Sequence, residues 1–363
     1  MHRRLCFFLI SALFAMVCLG QTPSPIFTYT LHAQKEARPG WSLFGMWTPP
    51  SSVLTITPDN ALLVLIPQAD RKWVLKSLTG WNTGVPQEQT LPITGKPTLG
   101  EDTWVKADLT ANPNGTYLIV RVSSGHVPVS ALEDNPESVV TLVDLRTLSI
   151  VSRRDTTDPL IAGSYWQFNK DGLLITKRLA KRLQVKSAGV LTDTDTYEAA
   201  ALTLPELKPV ASCHYDDVLE LRGGSTGWTT RSADTANVEC AAVLEMANAL
   251  SVEDLPISDQ AQDRIEKLDR AAKQLKFSCP IADLSKDERF ALYNCETGHP
   301  TWWDSWKMDS RASVVFSVIE EKTVATIPLP FEQPIIAALG TAGDQDYLLL
   351  LRDGIKLETY RLP

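Results

Sequence analysis

A short polar turn built on Asp or Asn returns along this chain at a nearly fixed spacing. Its positions are Asp59, Asn114, Asp171, Asp287 and Asp344. Each is followed within a few residues by an apolar run, at 62–65, 117–120, 173–175, 290–293 and 347–351. The steps between turns are 55, 57, 116 and 57 residues, the long one being two units of 58. A sixth turn is therefore expected near residue 229, where Gly223, Gly224, Ser225 and Gly227 supply turn chemistry ahead of Trp228. A fixed period of this length marks a repeat architecture, in which each unit buries its apolar surface against the next.

The unit at 108–153 shows the pattern most fully. Asn112-Pro113-Asn114-Gly115 opens it, and apolar strands at 117–122, 139–145 and 148–151 follow, the last two joined by a tight turn at Arg146-Thr147. Both faces of these strands are apolar, as expected when each sheet is covered on both sides. Strand–turn–strand units of about four strands predict an all-β chain built as a propeller. Residues 22–363 number 342, six repeats of 57, which predicts six four-stranded blades. Seven blades are the second choice and require 41–47 to head a unit of its own. The final unit has only three strands, at 335–339, 347–351 and 356–361. The segment 27–33 is the spare strand that would complete it and remove an open edge. One stretch departs from the β pattern. Residues 258–276 carry Ile265, Leu268, Ala272 and Leu275 at steps of 3, 4 and 3, with Asp259 and Gln262 as a capping pair, and predict an inserted helix.

The first 20 residues read as a secretory signal peptide. Arg3 and Arg4 precede a 15-residue apolar run at 5–19, and Cys18 and Gly20 are the small residues ahead of a cut before Gln21. The run is shorter than the roughly 20 residues that span a bilayer. The remaining chain, 21–363, is expected to be a single propeller domain, exported to the periplasm or the extracellular space. Removing the signal takes the net charge from −8 to −10, because Arg3 and Arg4 leave with it. That balance argues against nucleic acid and anionic membrane surfaces as partners. The chain is expected to be monomeric and, once cut, not inserted in a membrane.

Four cysteines then remain, Cys213, Cys240, Cys279 and Cys295, and no CxxC pair occurs. An even number in an exported chain favours disulfides over metal. The fifth hairpin turns at Lys286-Asp287-Glu288. Cys279 lies 8 residues before Asp287 and Cys295 lies 8 after it, so an antiparallel pair centred there sets them opposite each other. This predicts Cys279–Cys295 and leaves Cys213–Cys240 as the second bridge, across the least regular unit.

The turn of Asp or Asn followed by an apolar strand, repeated in five or six units over most of the chain, resembles the bacterial secreted β-propeller proteins with degenerate WD-like or TolB-like repeats. Here the Gly-His and Trp-Asp pairs at Gly125-His126, Gly298-His299 and Trp303-Asp304 do not recur at fixed positions. The resemblance implies a scaffold and at most a binding role. It carries over no catalytic residue, because its members perform unrelated tasks on one frame.

Long connections at 123–137, 178–196 and 296–312 are expected to emerge together on the face opposite the Asp turns. The most distinctive holds Trp302, Trp303 and Trp306 beside His299, and His126 lies in another. Tryptophans can stack on sugar rings or on a protein surface, and packing into the fold is the competing role. His214 with Tyr215-Asp216-Asp217 lacks the ligand spacing of a cation site. No GxSxG, P-loop, HExxH or EF-hand pattern occurs. The reading is thus an exported scaffold without cofactor or metal, binding a protein or carbohydrate through Trp302, Trp303, Trp306, His299 and His126. The alternative is a propeller hydrolase or lactonase-type enzyme with carboxylates gathered in the central channel.

Overall fold

The computed structural model describes residues 23–33, 40–42, 45–47, 51–68, 72–95, 103–126, 137–162, 165–169, 171–187, 190–216, 220–224, 227–231, 237–248, 250–251, 266–268, 270–271, 273, 279–285, 287–300, 306–330 and 335–363. The expected signal peptide and Trp302 and Trp303 lie outside these residues.

In chain order the elements are β1 (Phe27–Thr30), β2 (Gly40–Ser42), β3 (Gly45–Trp47), β4 (Val53–Ile56), β5 (Leu62–Pro67), β6 (Lys72–Thr79), β7 (Gln87–Thr94), β8 (Thr103–Ala111), β9 (Tyr117–His126), β10 (Glu137–Asp144) and β11 (Ser149–Thr156). A one-turn helix α1 (Pro159–Ala162) precedes β12 (Tyr165–Phe168), β13 (Leu174–Ser187), β14 (Val190–Leu202), β15 (Pro209–Asp216), β16 (Glu220–Gly224) and β17 (Gly227–Arg231). Helix α2 (Asn237–Ala247) leads to β18 (Leu250–Ser251), β19 (Ile281–Leu284), β20 (Phe290–Pro300), β21 (Trp306–Ser317), β22 (Lys322–Leu329), β23 (Ile335–Ala342), β24 (Gln345–Arg352) and β25 (Lys356–Arg361).

Among the described residues these strands form five four-stranded antiparallel sheets, one three-stranded sheet and one two-stranded pair. The chain divides into two compact units. One comprises Met1–Lys35, Gly80–Pro86 and Asp259–Pro363, and the other Glu36–Thr79 and Gln87–Ser258.

The turns follow a local rule. Thr57, Asn112, Asn169 and Ser285 each stand two residues before the turn Asp or Asn. Their side-chain oxygens accept the backbone N–H of Ala61, Tyr117, Leu173 and Phe290 at 2.7 to 3.0 Å. The same four residues donate their own N–H to the carbonyls of those partners. The residue after the turn acid is left-handed each time: Asn60 at φ 66°, Gly115 at 69°, Gly172 at 86° and Glu288 at 58°. Glycine takes that conformation without a Cβ penalty, and asparagine takes it more readily than most residues. Each turn thereby joins the first two strands of a four-stranded sheet, as at β4–β5, β8–β9, β12–β13 and β19–β20.

In the unit holding Glu36–Thr79 and Gln87–Ser258, the sheet β8–β11 is covered on both faces. Leu118, Val120 and Val122 point toward Leu63, Leu65, Trp73 and Ile93 of the β4–β7 sheet. Ile119, Val140 and Leu142 pack on Trp166, Phe168 and Leu174 of the β12–β15 sheet. This explains the doubly apolar strands. The one charge within β9, Arg121, is held by Asp108 at 2.9 Å and by the carbonyl of Ile161, with its guanidinium 4.5 Å over Trp166. Burial lowers its pKa, and the Asp108 carboxylate opposes that shift.

The other unit contains the sheets β19–β22 and β23–β25 with β1. Leu292, Val315 and Ile327 pack against Leu339, Leu348, Leu350 and Tyr360. As the repeat requires, β1 supplies the missing strand, with Phe27 opposite Thr359 and Thr30 opposite Lys356.

Three expectations need correction. The unit expected near residue 229 is not a four-stranded antiparallel blade. The hairpin β16–β17 turns between Gly224 and Gly227, but β18 joins β17 in parallel and the chain between them forms α2. Cys240, Val243 and Ala247 of α2 bury against Ile175, Ala199, Ala201 and Tyr215 of the neighbouring sheet. The stretch 41–47, which reads in sequence as one short strand, gives two: Gly40–Ser42 pairs antiparallel with Gly45–Trp47. The third correction concerns the connections at 123–137, 178–196 and 296–312, whose described residues are largely strand. The helix expected at 258–276 is present at residues 266–268, 270–271 and 273, with Leu268 and Ala271 buried on Tyr293 and Phe316. No helix among the described residues is long and apolar enough to cross a membrane.

Candidate functional site

Antiparallel geometry puts the connection between second and third strands at the end of the sheet opposite the Asp turn. There the paired strands run on past their neighbours. β13 and β14 stay paired to Ser187↔Val190, across a bulge between Leu179 and Lys181, although the described pairs of β12 with β13 reach only Lys177 and those of β15 with β14 only Thr196. β20 and β21 stay paired to Pro300↔Trp306, while β22 ends opposite Arg311. The β8–β11 sheet differs: its described β9–β10 pairs reach only Ser124↔Glu137, whereas β8 accompanies β9 to His126. His299 and Trp306, expected on a loop, therefore stand on a two-stranded ribbon.

His299 is opposite Lys307 and Trp306 is opposite Pro300, so both belong to the outer part of the β20–β21 ribbon. His126 ends β9 opposite Thr103, in the other unit. Among these three, the backbone places Trp306 and His299 on one ribbon. Both bridges form as expected. Cys213 of β15 joins Cys240 of α2 with Cα atoms 5.2 Å apart, and Cys279 joins Cys295 with Cα atoms 4.2 Å apart.

The base of the β13–β14 ribbon carries two rows of side chains. On one face Tyr197 stacks on Tyr215, ring centroids 5.4 Å apart, and the Lys177 ammonium lies 5.6 Å over Tyr197. Tyr215 is buried, and among the described residues its hydroxyl has no hydrogen-bond partner. Burial raises its pKa above the usual phenol range, and Tyr197 adds to the rise. On the other face Arg178 contacts Glu198 at 2.6 Å, with His214 Nε2 3.9 Å from the same carboxylate. Glu198 is thus committed to Arg178. Among the described residues no three His, Cys, Asp or Glu side chains gather at metal-holding distance.

The ribbons were missed although a signal exists. In 181–196, Leu183 and Val185 alternate with Arg182, Gln184 and Lys186, and Thr192 and Thr194 alternate with Asp193 and Asp195, around Ala188-Gly189. That is the period-2 alternation of a hairpin.

No protein-family model and no curated protein matches this sequence. Solved structures similar to it include U3-55K, at TM-score 0.31 and 10% identity over 91% of this chain and 81% of that one. The β-propeller domain of the Trilobed protease from Pyrococcus furiosus is similar at TM-score 0.28 and 9% identity, over 82% of this chain and 79% of that one. The Dos1 propeller is similar at TM-score 0.28 and 8% identity, over 89% and 72%. These likenesses are too remote to inform blade count or chemistry.

Proposed function

We propose that this chain is an exported six-bladed β-propeller that binds a protein or glycan partner through the ribbons between its second and third strands. The observation that carries the reading is the asymmetry between the two ends of the sheets. Asp-turn hairpins close one end tightly, whereas at the other end β13–β14 and β20–β21 run on as paired strands. Paired strands hold side chains in fixed alternation, which suits recognition better than a free loop. Trp306 and His299 are the contact residues on the β20–β21 ribbon, Trp302 and Trp303 fall between its two strands in sequence, and His126, ending β9 opposite Thr103, is a separate candidate. Tryptophan offers a large flat face at low conformational cost, with an N–H at its edge. The two disulfides support an oxidising compartment after removal of residues 1–20.

The test uses the mature chain on glycan and peptide arrays, beside a Trp302→Ala, Trp303→Ala, Trp306→Ala variant. A probe class bound by the parent and lost in the variant, with β-type circular dichroism unchanged, is the expected result. Equal binding by both, or loss of the fold, would overturn the assignment to these tryptophans.

A further inference from the structure

The two disulfides differ in where they stand and in how open they are. Cys213 and Cys240 are both buried, and they tie α2 to the edge strand β15 within one apolar cluster. Cys295 is buried but Cys279 is only partly buried, and their bond lies at the foot of the β20–β21 ribbon.

The register shows what that position does. Near the turn, Leu284 pairs with Ala291 and Asp283 with Leu292, one residue off a pairing centred on Asp287. A bulge between Ile281 and Asp283 takes up that residue and sets Ile281 opposite Tyr293. Asn294 N–H then donates to the Pro280 carbonyl at 3.1 Å, and the next link is the disulfide itself. On the far side Cys295 pairs with Ala312, and Ala312 with Pro328. One row further, Glu296 faces Arg311 and Arg311 faces Leu329, where β22 ends. Beyond that row the described pairings hold only β20 and β21, with a further bulge between Thr297 and Gly298. Cys279 and Cys295 also share an apolar cluster with Leu268 and Ala271 of the helical segment.

We infer that Cys279–Cys295 is a thiol-exchangeable clamp on the root of the β20–β21 ribbon, while Cys213–Cys240 is a protected structural bond. A dithiol reductant attacks the Cys279 sulfur and the S–S bond breaks, with Cys295 leaving as thiolate. The second thiol of the reductant then displaces Cys279, so two electrons and two protons reach the protein and the reductant ends as a cyclic disulfide. Exchange needs access to the bond, and only this bond includes a cysteine that is not fully buried. Opening it removes the last tie between β19 and β20 and loosens the ribbon, leaving the four-stranded sheet in place. The consequence for ligand binding rests on the reading proposed above; the clamp does not.

Two measurements on the mature chain test this. In a dithiothreitol titration quenched with iodoacetamide, Cys279 and Cys295 should be alkylated at a reductant concentration at least ten-fold below that needed for Cys213 and Cys240. In a Cys279→Ala, Cys295→Ala variant, hydrogen exchange at amides 296–300 and 306–311 should accelerate at least ten-fold, with amides 345–352 of β24 unchanged. Simultaneous or reversed labelling overturns the inference, as do unchanged ribbon amides or acceleration of β24 to the same degree. The exchange readout needs no ligand. A loosened ribbon in a chain that binds no array probe would uphold the clamp and reject the binding role.

Discussion

The indole of Trp81 meets the ring of Tyr347 edge-on, with centroids 5.3 Å apart and planes at 81°. Trp81 belongs to the short segment Gly80–Pro86 that shares a compact unit with β24, and it is 1% exposed. Edge-to-face pairs add to the burial of two large rings. Trp81→Ala should cost about 3–5 kcal/mol by the usual measure of a buried aromatic truncated to alanine. Urea denaturation followed by circular dichroism reads the loss, and a shift below about 1 kcal/mol would show that the segment contributes little.

Glu358 of β25 gathers three donors, Arg352 Nε from the end of β24 at 2.7 Å, and from its own strand Lys356 Nζ at 2.8 Å and the Tyr360 hydroxyl at 2.8 Å. Burial by itself would raise this carboxyl, but the three hydrogen bonds outweigh burial and hold it below its ordinary 4.5. Tyr360 is pushed up to about 12, by burial first and then by the Glu358 carboxylate. The folded-state value of Glu358 lies below the unfolded one. Its contribution is therefore complete above about pH 4.5 and is lost as pH falls through the folded value. Glu358→Gln should cost about 1–3 kcal/mol at neutral pH, because it leaves the partly buried Arg352 guanidinium without its charged acceptor, while the exposed Lys356 can turn to solvent. The gap to the parent should close on acidification. A gap that stays constant down to acid pH would assign the loss to shape and not to charge.

Asp283 behaves in the opposite sense. It accepts the Leu339 N–H at 2.8 Å and the Leu284 N–H at 2.9 Å, yet burial pushes its pKa above the ordinary 3.8, with the two bonds opposing. A raised carboxyl weakens the fold once ionised, and the penalty is relieved as pH falls toward the unfolded value. Asp283→Ala removes the acceptor for Leu339 and should cost about 1–3 kcal/mol. Asp283→Asn keeps an acceptor and should cost less, with the parent gaining on it as pH falls through the raised folded value and the gain complete near the ordinary 3.8. Thermal melts between neutral pH and pH 3 measure both.

Asn169 joins a turn to a helix. Its Oδ1 accepts from Asp171 N–H at 3.0 Å and Leu173 N–H at 2.7 Å, and its Nδ2 donates to the Met246 carbonyl at 2.6 Å, at the end of α2. Asn169→Asp keeps the acceptors and loses the donor; Asn169→Ala loses all three bonds. Stability should fall in that order, by about 1 kcal/mol and then about 2–3 kcal/mol. Equal losses would mean that the α2 contact carries the whole effect.

Much of this fold was legible because its constraints are local. The Asp and Asn turns are visible as residue types, and the period between them exposes the unit that lacks a strand. The preceding Thr57, Asn112, Asn169 and Ser285 are equally visible, in the runs TPDN, NPNG, NKDG and SKDE. They went unread because their role appears only in the hydrogen bond to the following strand. The Cys279–Cys295 pairing was reached from a turn centre one residue away from the true register. It holds because the bulge near Ile281 restores the offset. Helix α2 was not legible for a different reason. Asn237–Ala247 is apolar or small almost all round, so its buried face at Cys240, Val243 and Ala247 does not stand out by period. Of the candidate site, residue identity was readable, but the ribbon geometry depends on how far two strands stay paired, which no single residue announces.

Phe27 and Thr359 are neighbours across two strands although 332 positions separate them in sequence. Among the described residues every other four-stranded sheet draws its strands from one continuous stretch of chain. This one alone must wait for its last strand to be made, and then close a loop of nearly the whole chain, at an entropic cost that grows only slowly with length. Until β1 docks, β25 is an unsatisfied edge. The first matching strand to arrive completes it, whether from the same molecule or from another copy. Dilution during refolding therefore decides between a closed monomer and a pair of chains that have traded their first strands.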